Sequence, residues 1–225
     1  MLFIVATVAS VAGSAFLGTA LKGDEYLLGL SDLGSRVVVA AMLFLIAAVA
    51  AFGTAVLLFP ILRRYGEALA AGYVGLRAFE NVFYVTGTVA LLAMLSVSEN
   101  DAVGASAANV PLLGAALLAL HEWSVLIGTL VFFSLGALTL NVVLFHARLI
   151  PRSLSVWGLA GAALAFVYGL IGIFGGGIGL DSPLTLLAMP IALQEMVFAV
   201  WLIVKGLAAH MANPVPAATQ QSSSA

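Results

Sequence analysis

Polar side chains interrupt the apolar stretch 70–96 at helical spacing. These residues are Arg77, Glu80, Asn81, Tyr84 and Thr88. The last four follow Arg77 by three, four, seven and eleven residues, which places all five on one helix face. A charge inside a bilayer costs about 2.5 kcal/mol or more, so this face should point into a helix bundle and find partners there. The pattern predicts a ligand, ion or proton site near mid-membrane.

A second acid, Glu195, lies within another apolar stretch, residues 184–207. At a rise of 1.5 Å per residue, Arg77 and Glu195 each lie about 15 Å from a charged residue at one end of their stretch. Because both then lie at one depth, we predict an Arg77–Glu195 ion pair. Glu80 is expected to be a second partner of Arg77, since residues three apart on a helix are neighbours.

Two amides are candidates for the same polar site. Asn141 lies at a comparable depth in its own apolar stretch, and Gln194 precedes Glu195. We expect both to complete a buried hydrogen-bond network around Arg77. The network is either a functional site or a structural clamp between helices, and the residue types alone leave both interpretations open.

His121 and Glu122 form a further pair of candidates, at the outer end of the fourth predicted span. We expect them to be solvated, because the depth count places them near the membrane surface. A metal site would need more ligands than this side of the chain offers, so none is expected. Ser124 lies three residues from His121, but no nucleophile elbow or oxyanion hole accompanies it. No catalytic residue is therefore assigned.

The composition determines which kind of element can hold these residues. Of 225 residues, 63% are hydrophobic and 8% are charged, which is too little polar surface for a soluble domain. The chain has no cysteine, which excludes disulfides and thiolate metal sites. A net charge of -2 predicts no nucleic-acid partner. Three scattered histidines do not suit the histidine-rich sites of membrane oxygenases, and no cofactor is expected.

Apolar segments of about 20 residues, the length that crosses a bilayer, recur along the chain. We predict an all-α, polytopic membrane helix bundle in one domain, residues 1–210, with six spans at about 2–21, 36–60, 70–96, 122–146, 156–175 and 184–207. Residues 111–120 are expected to form either an interfacial helix or an outward extension of the fourth span. Pro190 is expected to kink the sixth span. Residues 211–225 are predicted to be a disordered cytoplasmic tail.

Lysine and arginine are concentrated in alternate loops, after spans two and four and after span six. The positive-inside rule then predicts that both termini are cytoplasmic, in the inner (plasma) membrane. The first span contains VASVAGSA, which resembles a signal-peptide cleavage site, but no positively charged segment precedes it. Small residues recur every fourth position in spans one and five, and we expect these faces to support a homodimer.

Three segments carry a resemblance to a known family: LRAFENVFYVTG, HEWSVLIGTLVFFSLGALTLNVVLFHARLIPRSLSVWGLAG and LQEMVFAVWLIVKG. From about Pro60 onward the chain resembles the bacterial integral membrane family called domain of unknown function 4386 (DUF4386). The resemblance implies a small multi-span bundle without a settled activity. It also implies recurring positions, which correspond here to Arg77, Glu80, His121, Gly128 and Glu195. Members of that family usually have a polar segment before the first span, so the resemblance implies a longer natural N-terminus.

Three functions fit these observations. The first is a non-enzymatic bundle that binds or translocates a small or amphipathic ligand at the Arg77, Glu80 and Glu195 cluster. The second is an intramembrane enzyme acting on a lipid or isoprenoid, with a glutamate as general acid or base. The third is a structural or accessory subunit in which the cluster only holds helices together.

Overall fold

The computed structural model describes residues 1–22, 26–101, 110–175 and 183–206. Within these ranges the chain is helical and has no β-strand. The helices are, in chain order, α1 Leu2–Leu17, α2 Tyr26–Leu30, α3 Gly34–Leu62, α4 Glu67–Asp101, α5 Val110–Leu126, α6 Phe133–Ala147, α7 Arg152–Ile173 and α8 Met189–Lys205. Short 3₁₀ turns, Ser31–Leu33 and Pro183–Leu187, precede α3 and α8, and a π-helical segment, Ile127–Phe132, joins α5 to α6.

Five stretches in the described residues are long and apolar enough to cross a membrane: Ser31–Leu62, Glu67–Glu99, Val110–Ala147, Arg152–Ile173 and Pro183–Lys205. The apolar helix α1 is shorter, with 16 residues. The chain is thus an all-helical protein with five to six helices able to span a membrane, which confirms the predicted fold class. The count of six spans and the cytoplasmic termini remain predictions.

The predicted fourth span is part of a longer helix. Residues 110–147 run as one 38-residue helical stretch through the π segment. Residues 111–120 thus continue the helix of the fourth predicted span, and the outward direction of this extension remains a prediction. Pro111 does not interrupt it, because a proline in the first turn removes an N–H that has no partner within the helix.

Two other expectations about helix ends need correction. Pro190 does not kink the last helix, because α8 begins at Met189 and Pro190 lies in its first turn. The first helix ends at Leu17, not near residue 21, and Gly18 follows with a φ of 53°. A left-handed residue of this kind ends a helix at little cost only when it is glycine. The predicted tail, residues 211–225, lies outside the described residues.

The helices form a ring in which the first and last elements meet. α1 packs against α3, α3 against α4, and α4 against α5, the π segment and α6; α7 then packs between α6 and α8. Phe3 of α1 and Phe198 of α8 close the ring, with their ring centroids 5.5 Å apart. Two apolar clusters fill the two ends of the bundle, one around Tyr73 and Phe198 and the other around Leu30 and Leu91.

Small residues let α7 approach its neighbours closely. A Cβ at Gly161 would lie 2.8 Å from the backbone nitrogen of Ile191 on α8. A Cβ at Gly169 would lie 2.9 Å from the Cβ of Leu130 in the π segment. These small residues therefore contact helices of the same chain, and the homodimer stays a prediction.

Candidate functional site

The predicted ion pair is present and belongs to a three-residue cluster. Arg77 Nη2 donates to Glu195 Oε1 at 3.2 Å, so α4 is joined to α8 as the depth count predicted. Arg77 Nη1 donates to both carboxylate oxygens of Glu80, at 3.1 and 2.9 Å. Glu80, expected as the second partner, thus makes the shorter contacts. We call these three side chains the Arg77 cluster.

The cluster is buried, and aromatic rings cover the guanidinium. Arg77 is 3% exposed and Glu80 5%. The Arg77 Cζ lies 5.7 Å from the ring centre of Tyr73 and 5.1 Å from that of Phe133. Gly136 of α6 lies beside the guanidinium, since a Cβ there would be 3.9 Å from Nε. Cation–π contact and the two acids together stabilise a charge that lipid would not tolerate.

A cavity of about 250 Å³ adjoins the cluster. Its polar wall comes from α4 and α8: Arg77, Glu80, Asn81, Tyr84 and Glu195. The remaining wall is mainly apolar and comes from α1, α3, the π segment, α6 and α7. Thr7, Ser10 and Thr129 add hydroxyl groups to it. The cavity is therefore amphipathic, with its charge on one side.

The cavity reaches the outer surface of the bundle between α1 and α8. Val11 and Ala192 both line it and are also exposed on the perimeter. The aromatic rings of Phe3 and Phe198 join these two helices. This contact lies nearer the N-terminal end of α1 than Val11 does. At the level of Val11 and Ala192 the cavity wall is therefore exposed on the perimeter of the bundle.

Tyr84 and Asn81 also face the site. The Tyr84 hydroxyl shares a hydrogen bond of 2.6 Å with Ser10 of α1, which ties the first helix to α4 across the cavity. Asn81 Nδ2 donates to the carbonyl of Arg77 at 2.8 Å, so this amide is anchored to its own helix. Ser10 is one of the small residues that recur at every fourth position in the first predicted span. Its hydrogen bond could not be predicted, because its partner is distant in the chain.

The family model described as "Domain of unknown function (DUF4386)" matches residues 1–206. The chain belongs to the DUF4386 family. The match confirms the resemblance and extends it over the first helices, which the sequence segments had not covered. Comparison with curated proteins and with solved structures gives no significant match.

In this DUF4386 protein, Asn141 and Gln194 form a separate polar pair. Gln194 Nε2 donates to Asn141 Oδ1 and to the carbonyl of Leu154, both at 3.4 Å. Within the described residues neither amide bonds to the Arg77 cluster, and neither lines the cavity. The expectation of one network was wrong, because neighbouring residues on a helix point about 100° apart. Gln194 therefore faces α6 and α7 while Glu195 faces Arg77.

His121 also differs from expectation in this family member. It is 8% exposed, and its Nδ1 donates to the carbonyl of Gly87 at 2.7 Å. The missing side chain of Gly87 lets α5 approach α4, since a Cβ there would lie 3.3 Å from Ser124. The predicted solvated pair is thus wrong for His121, whereas Glu122 is exposed as expected. Across the described ranges no group of three or more potential metal-binding side chains occurs.

The π segment is the part of the site that the spacing of polar residues did not indicate. Thr129 and Leu130 from this segment line the cavity. Gly128 packs directly on α4, where a Cβ would lie 2.9 Å from the Cβ of Phe83 and 3.3 Å from the carbonyl oxygen of Glu80. Gly128 had been singled out only by the family resemblance. π segments often occur at functional sites.

Proposed function

We propose that this DUF4386 protein binds a small amphipathic ligand inside the membrane, in the cavity next to the Arg77 cluster, and that binding serves to sequester or translocate it. The observation that carries the proposal is the position of the buried charges. They form one wall of a cavity. In a purely structural clamp, by contrast, the charged side chains would be packed on all sides. Intramembrane ionisable residues that line a cavity commonly mark a ligand or ion pathway.

The shape of the cavity supports an amphipathic ligand. Binding pockets for small molecules are mostly apolar, with a few polar groups that fix orientation. Here the apolar wall would hold a hydrocarbon part, while the groups on α4 and α8 would bind a polar head. The volume of about 250 Å³ suits a small molecule and not a complete phospholipid.

The gap between α1 and α8 supports uptake from the bilayer. An amphipathic molecule concentrates in the membrane, so a lateral opening gives it a direct path. The same feature favours the second candidate function, an intramembrane enzyme acting on a lipid or isoprenoid with Glu80 or Glu195 as acid or base. Conversion of the ligand by the purified protein would distinguish the enzyme from the binding protein.

Cysteine protection provides the test, because the chain contains no native cysteine. Ala192→Cys places a thiol on the cavity wall, and Leu193→Cys places a control thiol on the exposed neighbouring position, outside the cavity. Purified variants are labelled with N-ethylmaleimide in the presence of hexylammonium, hexanoate or hexan-1-ol. We expect at least one of these six-carbon probes to slow labelling of Ala192→Cys and to leave Leu193→Cys unaffected.

Glu195→Gln separates a binding site from a clamp. In the Ala192→Cys background, a site predicts that this change alters protection by the probes. A clamp predicts lower thermal stability in detergent, with equal labelling in the presence and absence of every probe. The result predicted for a clamp would contradict the proposed function. So would the failure of all three probes to slow labelling of Ala192→Cys when both glutamates are unaltered.

A further inference from the structure

We infer that the ligand is a cation, an alkylammonium whose positive head lies against Glu195 and whose short apolar tail lies along α3 and the π segment. This inference rests on the proposed function and adds the chemical class of the ligand. It follows from the charge, the hydrogen bonds and the ring systems that line the cavity.

The charges that line the cavity favour a cation. Within the described wall of the cavity the charged side chains are one arginine and two glutamates. With both acids ionised, the Arg77 cluster carries one excess negative charge. A buried charge without a partner is unfavourable, so a monovalent cation in the cavity would complete a neutral set. A ligand carboxylate would instead raise the excess.

The hydrogen bonds point the same way. Both terminal nitrogens of Arg77 already donate to the acids, Nη1 to Glu80 and Nη2 to Glu195. The remaining nitrogen, Nε, has no hydrogen-bond partner among the described residues, but it is buried beside Gly136, which does not line the cavity. An anionic head would therefore compete with these acids for the terminal nitrogens. By contrast, Glu195 uses only Oε1, and its second carboxylate oxygen makes no hydrogen bond in the described part of the chain. Its side chain is 13% exposed, the most open of the three. That oxygen can accept from an ammonium group.

The rest of the lining suits the same head and tail. Phe3 and Tyr84 line the cavity, and the faces of aromatic rings attract cations. The tail would contact alanines of α3, which are Ala47, Ala48 and Ala51, together with Leu130.

The experiment compares the three six-carbon probes, which share one apolar chain and differ in charge. Hexylammonium is protonated at neutral pH because an aliphatic amine has a pKa near 10. We expect it to protect Ala192→Cys from N-ethylmaleimide at concentrations about tenfold or more below those needed for hexan-1-ol, the factor expected for one charge-assisted hydrogen bond. Hexanoate is expected to protect least. Leu193→Cys again reports nonspecific partitioning into the detergent.

Removing one acid should abolish the preference. Glu195→Gln makes the cluster neutral, so hexylammonium and hexan-1-ol should then protect at similar concentrations. Glu122→Gln removes an exposed acid outside the cavity and should leave the preference unchanged. Equal or better protection by hexanoate or hexan-1-ol with the native acids would overturn the cation proposal while leaving the proposed function standing. A preference for hexylammonium that survives Glu195→Gln would also overturn it.

Discussion

Arg77 holds two acids from two different helices, and it is buried, with 3% of its surface exposed. Substituting Arg77→Gln would leave Glu80 and Glu195 facing each other without a cation. Breaking a buried ion pair by removing one partner typically costs about 3–5 kcal/mol, because the remaining charge is uncompensated. We expect a loss of that size in the free energy of unfolding, measured by denaturation in mixed micelles.

A neutral cluster is the control for this loss. The triple substitution of Arg77, Glu80 and Glu195 by glutamine removes all three charges and should recover most of the stability. Arg77→Lys keeps the charge but has a single nitrogen in place of the two terminal nitrogens that bind the acids, so it should fall between the native protein and Arg77→Gln. Glu122→Gln, which removes an exposed acid, is a second control. If Arg77→Gln is as stable as Glu122→Gln, the ion pairs of Arg77 do not contribute to the free energy of unfolding.

The hydrogen bond between Ser10 and Tyr84 is a second test at the residue scale. Tyr84→Phe and Ser10→Ala each remove one hydroxyl, and each should lower the free energy of unfolding by about 1 kcal/mol. Because both lose the same bond, the double variant should be little worse than either single one. Additive losses would show that the two hydroxyls do not stabilise each other, and a double-mutant cycle in detergent measures this directly.

The Arg77 cluster and its neighbours show how much of the site could be predicted from the sequence. Depth counting found the Arg77–Glu195 pair, since helix rise is constant and a buried charge needs a partner. It failed for Gln194 because depth does not give the direction in which a side chain points. It failed for His121 because its burial depends on Gly87, a residue of another helix. The role of the Ser10 hydroxyl was unpredictable for the same reason.

Helix packing depends on glycines at a few positions. Gly161→Ala would place a Cβ 2.8 Å from the backbone of Ile191, which cannot rotate away, so α7 and α8 must separate. We expect a loss of about 1–3 kcal/mol in the free energy of unfolding, as for other overpacked sites. Gly75→Ala on α4 is the control, since its Cβ would meet nothing within 4 Å. It should be neutral or gain up to about 1 kcal/mol from helix propensity. Equal effects of both changes would contradict close α7–α8 packing.

Two turns between helices followed from proline and charge, but the irregularity inside one element did not. Arg63, Arg64 and Pro151 mark turns that the structure has. No residue in Ile127–Phe132 distinguishes a π segment from regular helix, because both conformations accept the same apolar residues. The segment nevertheless brings Gly128 onto the carbonyl of Glu80. Its position arises from packing between helices and not from local preference.

At the scale of the whole molecule, hydropathy identifies segments but not their order around the bundle. The meeting of α1 with α8, which forms the opening of the cavity, joins residues almost 200 positions apart, such as Phe3 and Phe198. Apolar clusters at both ends of the bundle leave the cavity between them. The sequence indicated which residues carry charge, whereas the ring of helices determines that they face a cavity.

Topology is the remaining prediction at this scale, and the absence of native cysteine makes it directly measurable. Thr19→Cys follows α1, Tyr65→Cys precedes α4 and Ser153→Cys lies in the first turn of α7. With both termini cytoplasmic, a membrane-impermeant maleimide should label Thr19→Cys in intact cells and the other two only after permeabilisation. Tyr65 and Ser153 flank two predicted crossings, α4 and the long helix 110–147, so they must share a side. Labelling of these two positions from opposite sides would show that one of the two predicted crossings does not exist. The depth count that paired Arg77 with Glu195 would then have no basis.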